Sequence, residues 1–439
     1  MSRRRKRQVR RSASCVLAAL VLVWMPPHAN GASATWNANP SDSNWVPAQT
    51  GNNGKNWSTG NHTFPGAVNT TNNTDTATFN TSNGQTITLN PSLVGGTTLN
   101  VGSITFDTSS VGAFTIGNTS DPTLVLTSGG TIQMTSTVAN SEAVNAPISL
   151  AGSYTFTNNA SSSTRVLSFG GTISGGSTAV SPTLTLNGSN TGNNTISGAI
   201  GNGSATGGVA LTKSGAGTWV LTGNNSYSGA TLISNGTLNA GAAGALGSGT
   251  TGTSGITINS GGTLLLSGSA GVTDRIKNTA GMTLNGGIFN TGGLTEAGGS
   301  TGTRTAGIGA LTLTANSTIN FGTGNSIIEF AGLGAHVPIT GADLAILNWT
   351  GTGGTAGGTD QLLFAGTTTD FTSQFDQSDV SFNGVQGYNA IQIAAGYYEI
   401  VEVPEPTTWH AAALTLGVIG FSQRKRLRIY ASSAVKNHF

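Results

Sequence analysis

The stretch ITINSGGTLLLSG, residues 256–268, holds two runs in which apolar and polar residues alternate, joined by a pair of glycines. Ile256 and Ile258 open the alternation, Gly261 and Gly262 turn the chain, and Leu264 and Leu266 resume it. Period-2 alternation gives a strand with one buried face, and glycine or asparagine between such runs permits the turn. The scheme returns in VALTKSGAGTWVLTG (209–223), GATLISNGTLNAG (229–241), MTLNGGIFNTG (282–292) and LTLTANSTINFG (311–322). With Leu211, Leu232, Ile256, Met282 and Leu311 as equivalent starts, the units lie 21, 24, 26 and 29 residues apart. A repeat of this length with two or three short strands cannot bury its apolar face alone and must stack on its neighbours.

The expected architecture is therefore an all-β solenoid. Residues 68–335 would supply on the order of a dozen coils, a rod of ~55 to 60 Å at ~4.8 Å per stacked strand. A pair of β-sandwiches would also give short strands at this density. Tandem, glycine-rich units favour the solenoid. Residues 35–67 are rich in Trp and Asn and are expected to cap the open N-terminal end, where apolar core and strand edges would otherwise be bare. Trp36, Trp45 and Trp57 in this segment could alternatively form a sugar-stacking platform. Residues 336–402 lose the repeat and are expected to form a C-terminal β cap, with strands near 344–349, 361–364 and 391–394.

Composition narrows the function. The chain of 439 residues has only 8% charged residues but 66 glycines, and its net charge of +2 hides an uneven distribution. Seven Arg or Lys fall within the first eleven residues and five follow Pro404, which leaves six basic against fifteen acidic residues in the body. An acidic, sparsely charged body excludes a nucleic-acid footprint. Hydrophobic residues make up 36% of the chain and recur in register, unlike a disordered polar chain. The single cysteine, Cys15, lies among the first residues, so the body is expected to fold without disulfides.

The N-terminus, MSRRRKRQVRRSASCVLAALVLVW, places cations before an apolar run, and Ala32-Ser33-Ala34 offers small residues for cleavage. Residues 1–34 read as a secretory signal peptide directed to the Sec machinery, with the mature chain starting at Thr35. An uncleaved anchor is the alternative, against which the run is shorter than the ~20 residues of a span.

Two resemblances extend these readings. Lys213-Ser214-Gly215, Gly217-Thr218-Trp219, Leu221 to Asn225, Tyr227-Ser228-Gly229 and Gly236-Thr237-Leu238 stand within residues 210–249, which resemble the autotransporter-associated β-strand repeat of secreted bacterial proteins. That resemblance implies a right-handed parallel β-helix. An autotransporter would also carry a C-terminal membrane barrel of many ~10-residue alternating strands. No such block stands here, and Ser433 and Asn437 interrupt alternation before Phe439.

Near the other end, Val403-Pro404-Glu405-Pro406, an apolar run and Arg424-Lys425-Arg426 resemble the PEP-CTERM sorting signal of Gram-negative bacteria. The resemblance implies that exosortase, a membrane-embedded transpeptidase-like enzyme, cuts near Pro404, Glu405 and Pro406 after the tail has held the chain at the inner membrane. Prolines keep that site extended. Residues 407–423 would form a transmembrane helix of ~26 Å, with the cations of 424–426 held in the cytoplasm. Residues 429–439 continue as a tail past the usual end of the motif. A plain membrane anchor is the alternative.

A search for catalytic groups finds little. His62 and His336 are far apart in sequence, and Asp370, Asp376 and Asp379 read as solvated loop carboxylates in place of a Ca²⁺ site or a paired acid and base. GGTAGGTDQLLF, residues 353–364, reads as a turn before a strand. No metal or cofactor is expected. The sequence thus points to an exported, noncatalytic surface or matrix protein, adhesive or structural, processed through its tail. The alternative is a carbohydrate-binding or polysaccharide-degrading β-helix, with exopolysaccharide as the partner.

Overall fold

The computed structural model describes residues 32–48, 55–59, 63–248, 250–297, 307–334 and 343–404, and here the chain winds as a parallel β-solenoid of about ten coils. Strands recur in fixed order along each coil and pair with their counterparts one coil on. The first face is an 11-stranded sheet from Ala34–Thr35 to Leu311–Ala315. The second is a 13-stranded sheet from Thr86–Ile87 to Val385–Gln386. Helix among the described residues is limited to Thr368–Thr372 and the 3-10 turn Pro91–Val94.

The stretch that opened the sequence reading folds as it reads. Gly255–Asn259 lies on the first face and Gly262–Leu266 on the second, with Gly261 at φ +88° between them, a conformation that costs glycine little. Inward side chains of successive coils stack in columns. Phe169, Ile196, Leu221, Ala240 and Leu266 form one of these, and all are buried. Burying one large aliphatic or aromatic side chain contributes ~1.5–3 kcal/mol, and the columns repeat that gain in every coil. Each coil thereby needs its neighbours.

Two expectations need correction. Leu232 is not the counterpart of Leu211, because Leu211 pairs with Thr231 and Leu232 falls on the outward side beside Thr212. In Thr231-Leu232-Ile233 two apolar residues are adjacent, so alternation alone does not fix which points inward. The structure buries Thr231 and Ile233, and the Thr231 hydroxyl shares hydrogen bonds with Tyr227 Oη (2.8 Å) and Thr253 Oγ1 (3.0 Å). The coil count among the described residues is also about ten, against the order of a dozen expected.

That third face is a six-stranded sheet from Ala67–Val68 to Ile200–Gly201. It stops where the coil from Leu211 to Thr231 becomes too short to hold another strand. There the buried Asn225 replaces strand pairing, accepting from Ile200 N–H (2.7 Å) and donating to Ala245 O (2.7 Å). At the far end, Leu344–Leu347 extends the second face and Gln361–Ala365 pairs in parallel with Ile327–Phe330, so the ladder runs past residue 335. Tyr397–Glu402 and Tyr388–Ala394 then add in antiparallel sense and finish that sheet.

No helix among the described residues is long and apolar enough to cross a membrane. The helix expected at 407–423, Glu405, Pro406 and the 424–426 cluster lie outside the described residues, as does the leader before Ala32.

Candidate functional site

The three N-terminal tryptophans are interior residues. Trp36, Trp45 and Trp57 are 1%, 0% and 0% exposed, and their rings pack on one another and on Phe79 with centroids 5.0 to 6.0 Å apart. Trp57 Nε1 donates to Trp45 O (2.8 Å) and Trp45 Nε1 to Pro65 O (2.9 Å). The buried Asn56 ties the surrounding loop through Ser41, Asp42 and Asn44. Edge-to-face packing of this kind fills a core. It leaves no indole face open for a sugar ring. Among the described residues the exposed large apolar side chains are Leu93, Val180, Ile288 and Leu347, none of them aromatic.

The carboxylates singled out in the sequence serve local geometry. Asp370 Oδ2 accepts from Thr367 N–H (2.7 Å) in a capping box at the start of Thr368–Thr372. Asp379 Oδ2 accepts from Asp376 N–H (2.8 Å) in the following turn. His62 and His336 lie outside the described residues. Asp360, from the glycine-rich stretch, is buried and accepts from Ser326 N–H (2.9 Å), Thr350 N–H (2.8 Å) and the Thr350 hydroxyl (2.7 Å), joining two coils. Pro404 is the last described residue of the tail motif. Ala34 is already paired with Ala77 in the first-face ladder, and Ala32 precedes it without strand structure.

Sequence reading missed the buried ionisable groups. Glu142 points inward beneath Phe114, whose N–H it accepts at 2.7 Å, and burial pushes its carboxyl up to about 8 against that hydrogen bond. Burial likewise raises Glu296 to about 8, although Ile276 N–H, Arg275 N–H and the Arg275 guanidinium 3.8 Å away favour its charged form. Lys213 is buried in the apolar column between Leu186 and Ile233 and donates to Gly215 O and Asn235 O. Burial lowers its ammonium to about 8. These groups sit apart from one another along the axis and form no reactive cluster. The available signal was inward parity, Glu142 with Val144 in EAV and Lys213 with Leu211 in ALTK.

The outward side of the first face is the most regular feature of the surface. In register, one coil after another, it presents Thr76, Ser103, Thr131, Thr155 and Thr185. The same column continues through Thr212, Leu232, Thr257, Thr283 and Thr312. All ten are partly exposed. Two residues along each strand runs a second polar column, from Thr78 and Thr105 through Gln133 and Thr157 to Asn187. Its members bond to each other: Gln133 Nε2 donates to Thr105 Oγ1 (3.1 Å), and farther along Asn285 Nδ2 donates to Asn259 Oδ1 (3.0 Å). In the threonine column, the hydroxyls of Thr155, Thr185, Thr212, Thr257 and Thr283 make no hydrogen bond among the described residues.

Comparison with known proteins fits this architecture. Residues 211–240 match the Passenger-associated-transport-repeat family. The matched segment is where the cross-section loses its third strand, and its signature residues have structural tasks there. Trp219 is buried and donates to Asn187 O (3.0 Å), Tyr227 is buried, and a Cβ on Gly229 would stand 2.5 Å from Val209 O. A stretch of 66 residues is 50% identical to the Adhesin BmaC autotransporter of Brucella suis biovar 1 (strain 1330). The aligned stretch is 15% of this chain and 2% of that protein's length. No solved structure matches. The repeats are thus of the autotransporter type, in a fold that is all-β and parallel.

Proposed function

We propose that this chain is an exported, noncatalytic rod that serves at the cell surface or in the extracellular matrix as an adhesive or structural scaffold. The observation that carries the reading is the parallel ladder, in which the tryptophans and carboxylates singled out by sequence serve, among the described residues, core packing, capping and turns. Similarity of residues 211–240 to a passenger repeat and of one stretch to an adhesin supports a surface role. The cap roles of 35–67 and 336–402 belong to the same reading, since a solenoid must shield both ends. Export begins with the leader and Sec, and exosortase then releases the chain from the inner membrane at Pro404, Glu405 and Pro406.

The test uses an epitope inserted in the loop between Leu266 and Ala280 and a triple change of Pro404, Glu405 and Pro406 to Ala. The wild type should reach the exterior with its C-terminus trimmed, while the triple variant remains at full length with the inner membrane. Deletion of the whole chain should weaken attachment or matrix cohesion. Intact Phe439 in the extracellular wild-type pool would refute processing, and turnover of a polysaccharide by the purified chain would refute the noncatalytic reading.

A further inference from the structure

We propose that the first face of the solenoid binds ice, through the column of threonines that runs from Thr76 to Thr312. The backbone ladder sets the interval of this column at ~4.8 Å, the spacing of paired strands, which is close to the oxygen repeat along an ice surface. Ten coils carry it over ~45 Å. Parallel pairing without a shift of register holds the hydroxyls in line; the shift on this face falls between Leu284 and Asn285, beyond Thr283.

The chemistry of the column suits water in a lattice. Each threonine offers a hydroxyl that the protein itself leaves unbonded, beside a methyl group that disfavours loosely held water. The neighbouring column, by contrast, is knitted together by its own amide and hydroxyl bonds, which stiffen the face. The outward strand positions of this face carry no Asp, Glu, Lys or Arg, so no ion imposes a hydration shell of its own. Any single contact is weak. Eight threonines in register, with Ser103 and Leu232 at the other two positions of the column, act together on a rigid surface, because the ordering cost is met once by the fold.

Other occupants fit less well. A partner protein would draw on aromatic or charged anchors, and a glycan held by stacking would need an exposed ring; the face has neither. The second face does not share the pattern, since its outward column passes through Ala143, Val220, Asn239 and Leu265. This inference concerns the face alone and stands or falls separately from export and processing.

The chain as its host produces it can be tested by growing an ice front slowly through a dilute solution and measuring protein in the ice and in the remaining liquid. Wild type should be enriched in the ice relative to an inert carrier and should slow recrystallisation. Thr185→Arg and Thr212→Arg, side by side on the face, should abolish the enrichment, whereas Thr195→Arg on the second face should leave it unchanged. Far-UV circular dichroism verifies that each variant is folded, and Thr185→Ser, which removes only the methyl, gives a milder change that should lower enrichment. Exclusion of the wild type from ice overturns the proposal. So does enrichment that the two arginines leave intact, and so does face-dependent retention on an insoluble polysaccharide or self-association in place of ice.

Discussion

Lys213 occupies a position between Leu186 and Ile233 that its neighbours in the column, Phe156 and Ile258 among them, fill with apolar groups, and this makes the molecule sensitive to pH in an unusual direction. Folding moves its ammonium from 10.5 to about 8, so the folded state sheds a proton that the unfolded chain keeps. Stability is therefore gained as pH rises from about 8 towards 10.5. Glu142 and Glu296 act oppositely, because their folded values of about 8 lie above the ordinary 4.5 and the folded state holds the extra proton. Their contribution is complete below about 4.5 and is lost as pH climbs through about 8. The unfolding midpoint should accordingly fall between pH 5 and 8 and recover above it, with a minimum near 8. Glu142→Gln should flatten the acid limb and Lys213→Met the alkaline limb, each by a few degrees in calorimetry. A midpoint that rises steadily from pH 5 to 8 would contradict the assignment.

At the scale of the strand, Thr218–Leu221 carries the clearest test of inward parity. Trp219 stacks between Asn194 and Leu238, is fully buried and lies 6.1 Å from the Phe169 ring. Trp219→Ala should destabilise by about 3 to 5 kcal/mol in denaturant unfolding, with a value near zero excluding the burial described here. This strand was legible in the sequence because Trp219 and Leu221 share one parity after the polar Thr218, although Val220 between them is also apolar and buried. Legibility failed where alternation is ambiguous or strands are minimal. Leu232 was misplaced by one residue because Thr231 is held inside by hydroxyl pairing, which hydrophobicity does not register. The third face is built from pieces as short as Ile200–Gly201, too brief for a periodic signal. Aromatic residues at 36, 45 and 57 could have been platform or core, and only the ring packing distinguishes them. The threonine column was visible as scattered outward threonines, yet their alignment exists only once the ladder sets each coil against the next.

For the whole molecule the number of coils fixes the dimensions: about ten strands at ~4.8 Å give a ladder of ~48 Å, longer once both ends are added. Small-angle scattering of the released chain should report an elongated particle, and far-UV circular dichroism a spectrum dominated by strand; a compact sphere would be incompatible with the ladder. Because the hydrogen bonds between coils lie along the axis, tension applied at the two ends pulls directly on them, one layer at a time, without shearing whole sheets past each other. Detaching a single layer such as that from Ile256 to Met282, 26 residues on, would free roughly 85 to 95 Å of chain at the ~3.3–3.6 Å reach of each residue. A tether made this way yields in many small, repeatable extensions, and a cell or matrix held by it could absorb a sudden load by lengthening before any bond at the attachment point has to break.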